Sequence, residues 1–348
     1  CRPRLCAGGN TMTTPSTIEV PDRNLALELI RVTEAAAMAA ARWVGRGDKN
    51  GADGAAVNAM RSLIGSVSMN GVVVIGEGEL DEAPMLYIGE KLGTLNGPKF
   101  DIAVDPLEGT KFTANNQPNA FSVLAIAKKG DLLSAPDTYM EKIAIGANLP
   151  ENLLDLDNSV QKNINLLAEA KNKKISDLNV CVLKRPRHEH IVKELTKMNV
   201  KINYISDGDI AGALSVIGDN PKNDIYYSTG GGPEGVIVAA ALSCYGGQIQ
   251  GRLVLDDEEK IRAKKLGITD FKKKYNIVNN ISDNYEVIDI NYRPPIILDT
   301  TRIEKYNPKN IIESIDQLLL KTIHNNILLN ESNTLSLFHI IILYKKVE

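Results

Sequence analysis

Cysteine is scarce in this chain, and what there is forms no pairing pattern. Cys1, Cys6, Cys181 and Cys244 are the only four. No CxxC occurs, which argues against a disulfide scaffold and for a reducing, cytoplasmic setting. Cys181 and Cys244 read as small buried side chains. Aromatic residues make up 5% of the chain, too few for a platform that stacks single-stranded nucleic acid. Neither sign of charge dominates: 40 basic residues stand against 43 acidic ones, a net charge of −3, so there is no basic footprint for nucleic acid. The longest apolar runs, such as 236–242 and 338–344, are far too short to span a bilayer. No apolar signal-peptide core follows the basic N-terminus.

Several catalytic devices are also missing. There is no C-x5-R loop of a cysteine phosphatase and no GxSxG elbow. Arg187-His188 is followed by Glu189 where a histidine phosphatase has glycine. Asp155-Leu156-Asp157-Asn158-Ser159 faintly resembles an aspartate-nucleophile motif, but no β run precedes it and Ser stands where Thr or Val is usual; it reads as a helix-capping turn. His188 and His190, two apart on a helix, point in different directions and make a poor zinc pair; a surface or substrate-rim position is expected. Residues 268–348 lack both glycine and alanine, which the earlier chain uses heavily. They read as a divergent, replaced or misread tail, broken at Pro294-Pro295, with an amphipathic helix over 311–327. Residues 1–11 read as an unstructured tail ahead of Met12.

What remains is a globular composition, 24% charged and 43% hydrophobic over 348 residues, enough for one large domain or two closely packed ones. Asp22, after Pro21, is a good N-cap for a helix that carries Leu25, Leu29, Val32 and Ala36 to about Trp43 and ends at Gly45. A second helix is expected from Asp53-Gly54 through Val57, Met60, Arg61 and Ile64. β-rich runs follow at 72–75, 100–104, 122–127, 178–183, 201–205 and 224–228, with helical stretches at 159–171, 188–198 and 234–244. This alternation predicts an α/β fold with layered sheets.

Four acidic loops share one design, an apolar strand-like run followed by glycine and carboxylates. They are Gly76-Glu77-Gly78-Glu79, Asp105-Pro106-Leu107-Glu108-Gly109-Thr110, Ser206-Asp207-Gly208-Asp209, and Gly230-Gly231-Gly232-Pro233-Glu234-Gly235. Ligand sites in α/β sheets gather beyond strand ends. Clustered carboxylates repel unless cations neutralise them, and oxygen-only donors suit hard ions such as Mg²⁺ or Mn²⁺. Two such ions, roughly 3.5–4 Å apart, can clamp a phosphoryl group, activate water and stabilise the leaving oxygen. The pattern therefore points to a metal-dependent phosphatase.

Longer motifs narrow the class. Gly45-Arg46-Gly47-Asp48-Lys49-Asn50-Gly51-Ala52-Asp53, Gly76-Glu77-Gly78-Glu79-Leu80-Asp81-Glu82-Ala83-Pro84-Met85-Leu86, the DPLEGT loop at 105–110, Ala135-Pro136-Asp137-Thr138-Tyr139-Met140-Glu141-Lys142, Arg185-Pro186-Arg187-His188, the SDGD loop and the GGPEG turn lie nearly collinear over 22–269. In this the chain resembles the class II (GlpX-type) fructose-1,6-bisphosphatases, some cyanobacterial members of which also hydrolyse sedoheptulose 1,7-bisphosphate. DPLEGT also relates it more distantly to the lithium-sensitive phosphatases, including inositol monophosphatases. The chain departs from the family at its end: members usually carry there a strand and a glycine-rich Ala-Thr-Gly-x-Thr segment completing the second sheet, and neither is legible here.

The resemblance implies an α-β-α-β-α layered fold in two closely packed subdomains: a metal-binding one over 22–150 and a substrate-binding one over 151–270, flanked by tails 1–21 and 271–348. It implies that Asp53 and Glu77 hold one Mn²⁺ or Mg²⁺ ion, and that Asp105, Glu108 and Glu234 hold a second. Thr110 would orient or help deprotonate the attacking water, and Lys49 would stabilise charge near the leaving phosphate. Glu108, Gly109 and Thr110 would contact the phosphate undergoing hydrolysis. Tyr139, Arg185, Pro186 and Arg187 would receive the other phosphate; Asp207, Gly208 and Asp209 would accept sugar hydroxyls; Gly231 would admit substrate close to the backbone. Glu79, Asp81 and Glu82 are left outside the ligand set. A homodimer or homotetramer is implied as well. Open alternatives are a sedoheptulose-1,7-bisphosphatase, an inositol-phosphate-type phosphatase, or an inactive sugar-phosphate-binding homologue.

Overall fold

The computed structural model describes residues 25–78, 85–218, 220–277, 285–292 and 338–345. The expected cap at Pro21-Asp22, the tail 1–11, the acids Glu79, Asp81 and Glu82, Pro294-Pro295 and the helix expected over 311–327 lie outside these residues.

Helix α1 (Leu25–Ala41) has no glycine or proline in its span and buries Leu29, Val32, Ala36 and Ala40 along one face, the i, i+3, i+4 stripe of a core-facing helix. Helix α2 (Lys49–Ile64) starts four residues before its expected beginning. Asp48 caps it, its Oδ1 accepting from Gly51 N–H at 2.9 Å. That cap starts the helix in spite of Gly51 and Gly54, whose low helix propensity masks its first turns in the sequence. Asp53 therefore sits inside the helix, one turn after Lys49.

Among the described residues the strands form two six-stranded sheets. The first contains β1 (Asn70–Ile75), β2 (Lys91–Leu92), β3 (Lys99–Glu108) and β4 (Phe121–Lys128), with α3 (Thr110–Ala114) between β3 and β4. The second contains β5 (Tyr139–Ile145), β6 (Asn179–Leu183), β7 (Lys201–Ile205), β8 (Ile225–Gly231), β9 (Gln248–Val254) and β10 (Tyr275–Asn276). Helices α4 (Val160–Ala170), α5 (Glu189–Lys197), α6 (Asp209–Leu214), α7 (Gly232–Cys244) and α8 (Asp257–Lys265) are interspersed. Two strands from the compositionally distinct end, β11 (Tyr285–Tyr292) and β12 (Phe338–Lys345), complete the first sheet in the order β11-β12-β4-β3-β1-β2. β12 runs parallel to β4 and antiparallel to β11. The second sheet runs β10-β9-β5-β8-β6-β7. Both sheets mix parallel and antiparallel pairs, so the α/β class stands. The change from one sheet to the other falls between Lys128 and Tyr139, so the boundary expected at 150 lies after the first strand of the second sheet.

Each sheet feeds two hydrophobic clusters by strand alternation. Ile102 and Val104 of β3 pack with α1 and α2, whereas Ala103 faces a middle cluster. That middle cluster takes Met140 and Ala144 of β5 together with α6 and α7, while Ile143 and Ile145 face a third, built with α4 and α5. The turn at 155–159 is a helix-capping turn: Ser159 caps α4, and Asp155 and Asp157 are held by Lys274 and Arg252. No helix among the described residues is long and apolar enough to cross a membrane.

Candidate active site

Strands β1 and β3 are parallel neighbours, so their carboxyl ends deliver Glu77 and the 105–110 loop to the same side. Residues three apart on a regular strand face opposite ways. Here β3 carries one extra residue between Asp105 and Glu108 relative to β4, since Asp105 pairs with Val123 and Glu108 with Phe121. This bulge turns both acids to one cavity. Asp105 also accepts from Leu107 N–H at 3.1 Å, fixing the turn. Gly109 then adopts the left-handed conformation (φ 76°) and hands Thr110 to the first turn of α3.

Asp53 of α2, Glu77, Asp105, Glu108, Thr110 and Glu234 of α7 all line this cavity of about 310 Å³, as do Asp137 and Asp207. The electrostatics are those of crowded acids. Burial, then the charges of Glu108, Glu77, Glu234 and Asp53, push Asp105 well above the usual carboxylate range. Burial and Glu234 push Glu108 up to about 8, although Ile210 N–H, donating to its Oε1 at 3.0 Å, works the other way. Burial and Asp53 push Glu77 up to about 7. Burial raises Asp53 against the pull of Lys49, and raises Glu234, with Asp209 adding and Lys142 opposing. Such a set stays ionised at neutral pH only beside compensating positive charge. Its donors are all oxygens, so it suits hard divalent cations. Among the described residues, however, no three His, Cys, Asp or Glu side chains stand ready-made around a single ion position; the fit rests on donor chemistry and the shared cavity.

The other expected residues separate into groups. Lys49 is exposed one helical turn from Asp53 and acts on its charge from outside the cavity lining. Tyr139 is exposed, and the Arg187 guanidinium lies 4.5 Å from its ring centre while Arg187 Nε donates to Thr229 O at 2.9 Å. Arg185, just before the turn begun by Pro186, donates to Ser206 O at 2.6 Å and pairs with Asp207 at 3.4 Å. Asp207 thus joins Arg185 to the carboxylate cavity.

Asp209 and His188 lie outside the cavity lining. Asp209 does not face the cavity: it is buried behind it, paired with Lys142 and accepting from the Tyr226 hydroxyl. His188 is not at a rim. It is buried, bonded through Nδ1 to Leu183 O at 2.7 Å and accepting at Nε2 from Thr229 N–H at 2.8 Å. The space beside Gly231 is likewise taken from within: a Cβ there would lie 1.8 Å from the Glu234 carboxylate, and one on Gly230 1.7 Å from that of Asp209. Gly208 is left-handed like Gly109, and the Phe112 ring lies against both. Asp137 was not singled out from the sequence, although it lies in the Ala135-Pro136-Asp137-Thr138 segment that does carry the resemblance.

Comparison with known proteins is consistent with this geometry. The family model described as bacterial fructose-1,6-bisphosphatase, glpX-encoded, matches residues 23–288. Fructose-1,6-bisphosphatase 1 class 2 of Escherichia coli K12 is 45% identical over 260 residues, covering 71% of this chain and 77% of the relative. Fructose-1,6-bisphosphatase class 2 of Shigella flexneri matches with the same identity and coverage.

Proposed function

The chain belongs to the glpX-encoded bacterial fructose-1,6-bisphosphatase family, and on that premise we propose how its own residues hydrolyse fructose 1,6-bisphosphate. It is a class II fructose-1,6-bisphosphatase, a metal-dependent phosphatase that acts on a sugar bisphosphate. The products are fructose 6-phosphate and inorganic phosphate. The observation that carries the residue assignment is the bulge that turns Asp105 and Glu108 into a cavity shared with Asp53, Glu77 and Glu234.

In this reading Asp53 and Glu77 hold one ion, and Asp105, Glu108 and Glu234 a second. When bound, two Mn²⁺ or Mg²⁺ ions lower the pKa of water and neutralise charge on the phosphoryl group. Thr110 orients the water, or takes part in its deprotonation, from the first turn of α3. Water oxygen attacks phosphorus in line; the bond from phosphorus to the sugar O1 breaks, and that oxygen takes up a proton. Gly109 and Thr110 hold the phosphate being lost, with Lys49 adding positive charge from the rim. Arg185 and Arg187, with Pro186 setting their turn and Tyr139 stacked on Arg187, receive the 6-phosphate, for which forked guanidinium donors are suited. Asp207 and Gly208 face the sugar.

The three hydrophobic clusters, separated by two sheets, support the α-β-α-β-α layering of the lithium-sensitive phosphatases. A cytoplasmic homodimer or homotetramer is the expected form. The test is phosphate release from fructose 1,6-bisphosphate, sedoheptulose 1,7-bisphosphate and inositol phosphate, with EDTA and with Mn²⁺ or Mg²⁺ restored. Turnover of fructose 1,6-bisphosphate indifferent to chelation overturns the metal assignment.

A further inference from the structure

One fully buried cation stands among these acids, and the reaction scheme does not use it. Lys142 lies on β5, an interior strand, on the face that also presents Met140 and Ala144 to the middle cluster. A buried lysine is rare unless paired. Lys142 Nζ donates to the Asp209 carboxylate and, at 2.6 Å, to the Gly231 carbonyl.

Those two partners are the roots of two carboxylates in the cavity. Gly231 ends β8, and α7 begins immediately after it; the Glu234 carboxylate folds back into the space where Gly231 has no side chain. The following residue is tied to the neighbourhood of the same strand, since Gly232 N–H donates to Thr138 O at 2.6 Å. Asp209 opens α6, and the next amide, Ile210 N–H, donates to Glu108 Oε1 at 3.0 Å. One ammonium group therefore spans from the corner that bears Glu234 to the corner that holds Glu108.

We propose that Lys142 is a positioning residue for the second cation site, fixing Glu108 and Glu234 relative to each other through Asp209 and the Gly231 carbonyl. This rests on the reading of Asp105, Glu108 and Glu234 as ligands. The competing role is plain charge compensation of Asp209.

Mn²⁺ titration of the purified protein by calorimetry and by Mn²⁺ electron paramagnetic resonance separates the two roles. Asp209→Asn removes the charge that needs compensating but keeps the Lys142 tether to Gly231. Lys142→Met/Asp209→Asn removes both. The expected result is that the double variant, folded by circular dichroism, binds Mn²⁺ at one of two sites about tenfold or more weaker than Asp209→Asn, the scale of losing an outer support of a metal ligand. A double variant that titrates like Asp209→Asn overturns the proposal. Should the methionine variant not fold, Lys142→Gln/Asp209→Asn, whose paired amides can fill the same space, is read in the same way. A wild-type protein that binds no divalent cation overturns the ligand reading itself, and with it this proposal.

Discussion

Asp105 and Glu108 face one cavity only because β3 is bulged between them. Straightened by one residue, the strand would bury one acid and present the other alone. The family's loop is thus a backbone device as much as a set of side chains, and its proline, which donates no N–H to a ladder, sits within the irregular stretch.

Replacing Asp105 or Glu108 by Ala removes a group that the cavity holds under mutual repulsion. Phosphate release is expected to fall on the order of 10³-fold, the scale of losing a preorganised charge contact in a reaction. The metal-free variant should stay folded, because relief of the crowded charge offsets the loss of the bond accepted from Leu107 or Ile210 N–H. A folded variant that still turns over at the parental rate contradicts the assignment.

The pH dependence has an uncommon sign. Glu77 and Glu108 carry folded-state values of about 7 and about 8, above the ordinary 4.5. The folded state therefore binds more protons than the unfolded state between about pH 4.5 and 8, and the stability slope with pH is negative there. Thermal melts in EDTA should fall from pH 5 to pH 8. Saturating Mn²⁺ should oppose that decline, since a bound cation favours the ionised acids and its binding releases protons.

Gly231→Ala places a Cβ where the Glu234 carboxylate now lies, 1.8 Å away. The carboxylate must swing out. Mn²⁺ affinity measured by calorimetry should drop about tenfold or more, while circular dichroism stays near the parental spectrum.

Arg187→Ala strips the guanidinium from Tyr139 and the Thr229 carbonyl. If it receives the 6-phosphate, KM for fructose 1,6-bisphosphate should rise roughly 10- to 100-fold, the worth of a charged hydrogen bond. Affinity for fructose 1-phosphate, which lacks that group, should be nearly unchanged. Equal losses on both sugars would remove Arg187 from this role.

His188→Phe tests the corrected placement. The ring leaves Leu183 O and Thr229 N–H without a buried partner, so stability should fall by about 2 kcal/mol or more. Steady-state KM measured below the melting range should move little.

The sequence made the strands that end in glycine and acid legible, because their apolar residues, continuous or alternating, lead straight into such a turn: β1, β3, β7 and β8 lie where the pattern puts them. It hid β5 and β9, because Glu141 and Lys142 in one, and Gln250 and Arg252 in the other, break the apolar pattern. Those charges are satisfied across the sheet and under the site, by Arg252 on Glu141 and by Lys142 on Asp209, and such pairings are invisible until the strands are neighbours. Asp207 and Asp209 look alike in sequence, flanking one glycine. Only the start of α6 at Asp209 decides that one faces the cavity and the other the interior. β11 and β12 escaped for a related reason: their partners are β4 and each other, over long separations of chain.

The ring of Phe112 touches both Gly109 and Gly208, one from the loop after β3 and one from the loop after β7. A Cβ on either glycine would come within 2.7 or 2.9 Å of that ring. One aromatic side chain therefore packs against the loop after β3 and the loop after β7 at once. On the reading proposed above, that ring is a shim between the loop assigned to the phosphate being lost and the loop assigned to the sugar, and trimming it to leucine would loosen their spacing without touching any group assigned to the chemistry.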